Sequence, residues 1–211
     1  MRSGKFITFE GGEGAGKSTQ CALLAKRLES DGAEVVVTRE PGGTESAEAI
    51  RALLVDGAVD RWDAVSESLL HSAARRAHLV DLVWPALDRG AWVISDRFAD
   101  STMAYQGYAM SLGRAAVETL NQIVFDDFAP DLTIVLDLPV DQGLARAADR
   151  GGADRYERMG RAFHQKLRDA FLDIAKREPD RCAVIDGTSD IEAVAAAVHG
   201  LVVERLGMPV S

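Results

Sequence analysis

The sequence predicts an α/β domain in which helices wrap a parallel sheet of five strands. Three observations lead there. Short apolar runs recur at residues 6–9, 35–38, 92–95, 132–138 and 183–185, each bounded by Gly, Pro, Asp or charged residues. The runs are continuously apolar rather than alternating, as in strands buried on both faces. Long stretches of helical periodicity separate them, and strands that alternate with helices build βαβ units.

The elements follow in order. Strand 6–9 runs through a glycine-rich loop into a helix over 17–30, which stops at Asp31-Gly32. Strand 35–38 precedes a helix over 46–54. Residues 63–88 read as one long helix with Leu69, Leu70, Leu79, Leu82 and Val83 as its apolar stripe and Pro85 bending its end. Strand 92–95 is followed by a helix over 112–125, and strand 132–138 by one over 142–149. Residues 149–155 place two glycines among alternating charges, a turn or a mobile lid. A helix over 155–176, strand 183–185 and a helix over 191–206 complete the chain. No internal repeat or linker interrupts it, so residues 1–211 read as a single domain with a lid at about 146–160.

Composition narrows the function. The 211 residues are 47% hydrophobic and 27% charged, an ordinary soluble mixture. A net charge of −9 argues against general nucleic-acid binding, which needs a basic surface to displace counterions. It leaves room for a small anion held by a few local arginines. Cys21 and Cys182 lack metal-ligand spacing and read as free thiols in a reducing compartment. The N-terminus has no signal-like apolar stretch, and no window reaches the roughly 20 apolar residues of a membrane span. The expectation is a cytoplasmic protein.

Gly11, Gly12, Glu13, Gly14, Ala15, Gly16, Lys17 and Ser18 fit G-x-x-x-x-G-K-[ST] in full, between a strand and a helix. The residue types match phosphate chemistry. Glycines let backbone N–H groups converge on phosphate oxygens, and the helix start adds unpaired N–H groups and a positive dipole end. Lys17 supplies a charge to the terminal phosphates, and the Ser18 hydroxyl suits Mg²⁺. This is the P-loop, a nucleoside triphosphate cradle. A guanine-reading N-K-x-D is missing, since the only asparagine, Asn121, is followed by Gln122; no L-S-G-G-Q occurs either. Two strand-end acids, Asp96 and Asp137, compete for the metal-proximal place. Asp96 is preferred, acting through water, because Arg97 beside it belongs next to a phosphate.

Three longer runs carry a more specific likeness: 9–19, ending in Thr19; Thr38-Arg39-Glu40-Pro41-Gly42-Gly43-Thr44; and Asp96-Arg97-Phe98 with Ser101-Thr102-Met103-Ala104-Tyr105-Gln106-Gly107. Over essentially its whole length the chain resembles the thymidylate kinase family. That resemblance implies a P-loop fold with strand order 2-3-1-4-5, ATP and dTMP as substrates, Mg²⁺ as cofactor and a homodimer. The apolar face of helix 63–88 is the candidate dimer interface. The resemblance also implies residue roles. Arg39 and Arg97 would hold the dTMP phosphate, with Arg51 in the same pocket. Arg75, Thr102 and Gln106 would read the base, and Ser101 belongs to the same substrate-binding segment. Tyr105 would pack on the deoxyribose and leave no room for a 2′-hydroxyl, and Glu13 would approach the 3′-hydroxyl.

Two features depart from the family's commonest pattern. His71 stands where the family stacks a phenylalanine on thymine, four residues before Arg75. Gly14 stands where some members carry a basic P-loop residue. The chain therefore resembles members that keep the catalytic arginine in the lid. Arg150 is the first choice, with Arg146 and Arg155 as alternatives. Arg146 would also meet the donor nucleotide, Tyr156 and Glu157 would help order the lid, and Asp186-Gly187-Thr188 lies where relatives hold adenine. In-line transfer would be stabilised by Lys17, Mg²⁺, Arg97 and Arg150.

Overall fold

The structure, a computed structural model, describes residues 4–150 and 155–207, with the side chain of Arg150 outside the description. Five strands form one parallel sheet: β1 (Phe6–Glu10), β2 (Val35–Arg39), β3 (Trp92–Asp96), β4 (Leu132–Asp137) and β5 (Cys182–Asp186). Their order is β2-β3-β1-β4-β5, with Phe6 opposite Val93 and Ile7 opposite Leu132. The helices are α1 (Lys17–Ser30), α2 (Glu45–Val55), α3 (Ala64–His78), α4 (Trp84–Asp88), α5 (Ala99–Thr102), α6 (Arg114–Phe125), α7 (Val140–Arg150), α8 (Arg161–Arg177) and α9 (Ile191–Leu206).

Burial follows position in the sheet. The central strands β3, β1 and β4 are buried almost throughout, and these are the runs whose continuous apolar character is diagnostic. The edge strands expose one face, leaving Val37 51% and Val184 47% accessible. One sheet face packs Ile7, Phe9, Ile94 and Ile134 against Leu24 and Leu28 of α1 and Val194, Val198 and Val202 of α9. On the other face, Phe6 and Val93 meet Leu79, Val83 and Leu87, while Val135 meets Leu167, Phe171 and Ile174 of α8. Three layers result, and the carboxyl ends of β1 and β3 open onto the ligand side, as in open parallel sheets generally.

Three expectations need correction. Residues 63–88 do not form one α-helix: a π-helical turn, Leu79–Val83, separates α3 from α4. Pro85 has no N–H for the Asp81 carbonyl and its ring crowds that carbonyl, so the backbone widens just ahead of it. The apolar stripe also divides. Leu79 and Val83 are core, whereas Leu69 is 52% exposed, together with Val65 at 52%. Residues 155–160 are turns rather than the start of a helix, and α8 begins at Arg161 after Gly160. Finally, residues after Arg97 build α5 and a second π-helical stretch, Met103–Ala109, which the sequence pattern misses. That stretch is short and interrupted by Gly107; it is held by its burial against α8 rather than by local propensity.

Candidate active site

The phosphate loop closes tightly against α7. Gly14 has φ 68°, and a Cβ there would lie 2.0 Å from the Gly143 carbonyl oxygen. Reciprocally, a Cβ at Gly143 would lie 2.4 Å from the Glu13 carbonyl oxygen. The absence of a basic side chain at position 14 thus has a steric reason: α7 occupies its space. Gly143→Ala is expected to push α7 off the loop and cost about 1–3 kcal/mol. Thermal melting with and without ATP checks this; an unchanged melting point and unchanged ATP stabilisation would show that the contact is not tight.

Lys17 is buried and its Nζ donates to the carbonyls of Gly11 and Gly12 at 3.1 and 2.8 Å. Burial, aided by Arg97, lowers its pKa against the opposing pull of Glu13, Asp96 and Glu10. Ser18 Oγ donates to Asp96 Oδ2 at 2.5 Å. Asp137 is engaged elsewhere, bidentate with Arg168 at 2.7 and 2.8 Å. Of the two strand-end acids, Asp96 is therefore the one beside the phosphate cradle.

A cleft of about 330 Å³ extends from the P-loop. It is lined by Glu13, Arg39, Arg51, His71, Arg75, Arg97, Ser101, Thr102, Tyr105 and Gln106, together with residues 14–19. Every substrate-binding residue expected from the sequence thus meets in one place. Arg97 is central. It adopts φ 74°, rare for a residue with a Cβ, and donates to Glu13 Oε1 at 2.7 Å and to Gly11 O and Ser101 Oγ at 3.2 Å. Its guanidinium lies 5.2 Å over the Tyr105 ring, and the Tyr105 hydroxyl donates to Glu13 Oε1 at 2.5 Å. Burial pushes Glu13 up, but Arg97, Lys17 and the Tyr105 hydroxyl outweigh it and hold the carboxyl at about 2. Glu10 clamps the turn from beneath, accepting from Phe98 N–H at 2.7 Å and Ser101 Oγ at 2.6 Å. Burial and the neighbouring Asp100 push its carboxyl up to about 8.

Arg39 and Arg51 guard the outer wall. Arg39 Nη2 donates to Glu48 Oε1 at 2.9 Å, and Arg51 Nη1 to the Pro41 carbonyl at 2.8 Å. Arg75 lies deeper, 2% exposed. Its Nε donates to Glu40 Oε2 at 2.7 Å, and Nη2 to Phe98 O at 3.1 Å and Thr102 Oγ1 at 3.0 Å. Glu40 also pairs with His78 Nδ1 at 2.9 Å, and His78 Nε2 meets Thr38 Oγ1 at 2.7 Å.

His71 Nε2 bonds the Tyr156 hydroxyl at 2.9 Å. Burial, then Arg75, Arg155 and Arg97, push its pKa down to about 3, so it is a neutral planar ring at pH 7. Its contribution to stability is complete above the unfolded value near 6.5 and is lost as pH falls toward 3. Its ring C–H resonances are expected not to titrate between about pH 5 and 8. An NMR titration with an ordinary midpoint near 6.5 would contradict this.

The lid candidates separate. Arg155 is fully buried, donating to the carbonyls of Leu54 and Val59 at 2.9 and 3.0 Å and to Glu67. It pins the chain to the α2–α3 connection. Arg146 donates to the Gly187 carbonyl at 3.3 Å and lines a second hollow with Gly14, Thr19, Gln20 and Asp190. The side chain of Arg150 lies outside the described residues.

The sequence reading missed four buried polar residues that shape the cleft: Glu10, Glu40, Glu67 and His78. A signal existed for Glu67, because Glu67, His71 and Arg75 recur every four residues and share one face of α3. Glu40 stands within the run Thr38 to Thr44, which by itself assigns it no role.

Fold and cleft together define the class: a P-loop phosphotransferase whose glycine-rich loop opens onto a separate arginine-lined cleft. A family model described as thymidylate kinase matches residues 9–198. A thymidylate kinase of Caulobacter vibrioides is 55% identical over 208 residues, covering 99% of this chain and all of that relative. One from Bradyrhizobium sp. (strain ORS 278) is 51% identical, covering 96% and 91% of the two chains. The crystal structure of thymidylate kinase from Ehrlichia chaffeensis superposes with a TM-score of 0.78 at 37% identity, covering 95% of this chain and 99% of that one. The chain belongs to the thymidylate kinase family.

Proposed function

We propose that the enzyme transfers the γ-phosphoryl group of ATP to dTMP, giving ADP and dTDP. The observation that carries this reading is the placement of Arg97, Arg39 and Arg51 on one cleft that opens directly onto Lys17 and Ser18. Two anionic substrates meet there with their phosphates facing. No residue forms a covalent intermediate; catalysis is alignment plus charge stabilisation. Lys17 exchanges its loop carbonyl partners for the donor's terminal phosphates. Arg97 presents the acceptor phosphate, and Glu13, held ionised by Arg97, is available to the sugar 3′-hydroxyl. Neutral His71 lies flat against the base, and Arg75 donates to its edge.

The metal site fits the expected cofactor. Ser18 Oγ and Asp96 Oδ2 are hard oxygen donors side by side, the chemistry Mg²⁺ prefers. Mg²⁺, when bound, neutralises the charge that develops on the β- and γ-phosphate oxygens. Arg146 and the Gly187 turn border the hollow proposed for the donor's adenine. Arg150, at the end of α7, is the arginine proposed to reach the transferring phosphoryl from the lid. The reading includes a single domain over the whole chain and a cytoplasmic location. None of the described helices is long and apolar enough to cross a membrane. It also includes a homodimer built on the exposed apolar side chains Val65 and Leu69 of α3, to which Ile123 of α6, 77% exposed, contributes.

A coupled ADP-release assay across a panel of nucleoside monophosphates tests the reaction. Turnover should be greatest with dTMP. A regulatory ATPase would instead hydrolyse ATP slowly at a rate indifferent to dTMP, and that result would reject the assignment.

A further inference from the structure

The inner end of the cleft holds two buried polar atoms with no partner among the described residues: Arg75 Nη1, a donor, and Gln106 Oε1, an acceptor. Both residues line the cleft, at 2% and 0% exposure. A donor and an acceptor on the lining of one cleft complement the O4 and N3–H of thymine or uracil. Cytosine presents the reverse, an amino donor at C4 and an acceptor at N3. A glutamine amide, however, reads either way, depending on which end is turned to the base.

Glu67 decides which end that is. Gln106 Nε2 donates to Glu67 Oε1 at 2.7 Å, and the carboxylate's other oxygen accepts from Arg155 Nη2. Glu67 and Arg155 are both fully buried. A carboxylate engaged by a guanidinium accepts at both oxygens and donates at neither. It therefore takes the N–H end of the amide and leaves the carbonyl end for the cleft. A reversed amide would set oxygen against oxygen inside the protein, where an unsatisfied pair is costly.

We propose that Glu67 is a positioning residue for base selection: paired with Arg155, it locks the Gln106 amide in the sense that accepts from N3–H and rejects cytosine. The inference rests on the reaction proposed above and extends it to a residue that does not touch substrate.

The test compares kcat/KM for dTMP, dUMP and dCMP in wild type and Glu67→Gln. With Arg155 still donating, a glutamine at 67 turns its carbonyl to Arg155 and its amino end to Gln106, which then accepts and presents its own amino group to the cleft; without Arg155 the amide sense is free. The dTMP-to-dCMP ratio should fall by about 10- to 100-fold. The dTMP-to-dUMP ratio should hold, since the two bases share the edge that Gln106 reads. Because Glu67→Gln leaves Arg155 a buried cation without its carboxylate, Glu67→Gln/Arg155→Met is measured alongside it, removing both charges together. Gln106→Met should also lower the dTMP-to-dCMP ratio, and adding Glu67→Gln to it should change the ratio no further. A wild-type dTMP-to-dCMP ratio in both Glu67 variants overturns the proposal. So does an equal loss toward all three nucleotides, the mark of a merely structural role. Failure of the wild-type enzyme to phosphorylate dTMP overturns the reaction itself and is read from the first arm.

Discussion

Arg97→Ala should lower kcat with dTMP by about 10³-fold while leaving ATP affinity nearly unchanged. The guanidinium lies between the P-loop carbonyl of Gly11 and the Glu13–Tyr105 pair, the place proposed for the acceptor phosphate. It remains cationic although buried, because Glu13, Tyr105 and Asp96 outweigh the desolvation that would lower its pKa. The backbone supplies a sharper version. Arg97 holds φ 74°, a conformation that costs a residue with a Cβ about 1–2 kcal/mol and glycine almost nothing. Arg97→Gly should therefore be as inactive as Arg97→Ala yet melt higher than Arg97→Ala. Steady-state kinetics, ATP titration and thermal melting on the two variants together check this. Equal losses in dTMP turnover and ATP binding would remove Arg97 from the acceptor site.

The part of this site that sequence reveals is the part fixed by local chemistry. Gly11 to Ser18 must be glycine-rich and end in Lys-Ser wherever they occur, because backbone N–H groups must approach a phosphate. Strand-end residues such as Asp96 and Arg97 are equally legible, since a parallel sheet delivers its carboxyl ends to the ligand. The central strands also declare themselves by unbroken apolar runs. Edge strands β2 and β5 look the same in sequence but bury only one face, so their exposure depends on a sheet order that no single run encodes. The π-helical Met103–Ala109 stretch was missed for a similar reason: contacts with α8 hold it in place. Arg155 illustrates the limit for charged residues. From sequence it is one of three lid arginines; in the fold it is a buried pin whose partners, Leu54, Val59 and Glu67, are 88 to 101 positions away. Glu40 is the same case from the acid side: its motif is obvious, but its partners are brought to it only by the packing of α3.

That packing makes Glu40 the position where the largest loss of stability is expected. Glu40 is 5% exposed and accepts from Arg75 Nε and His78 Nδ1, both themselves buried. Glu40→Ala strands the Arg75 charge, which costs about 3–5 kcal/mol when one member of a buried pair is removed. For a domain of this size that lowers the melting point by about 6–20 °C. Arg75 should also lose its aim, since only Phe98 O and Thr102 Oγ1 would hold it, so KM for dTMP should rise while ATP binding persists. The two effects come apart in Glu40→Gln/Arg75→Met. Neutralising both partners should restore much of the stability, because the desolvated charges are gone, but not the recognition of thymine, because Arg75, the donor proposed for it, is gone too. Recovery of a low dTMP KM in that double variant would show that the base is read elsewhere and that the Glu40–Arg75 pair serves the fold alone.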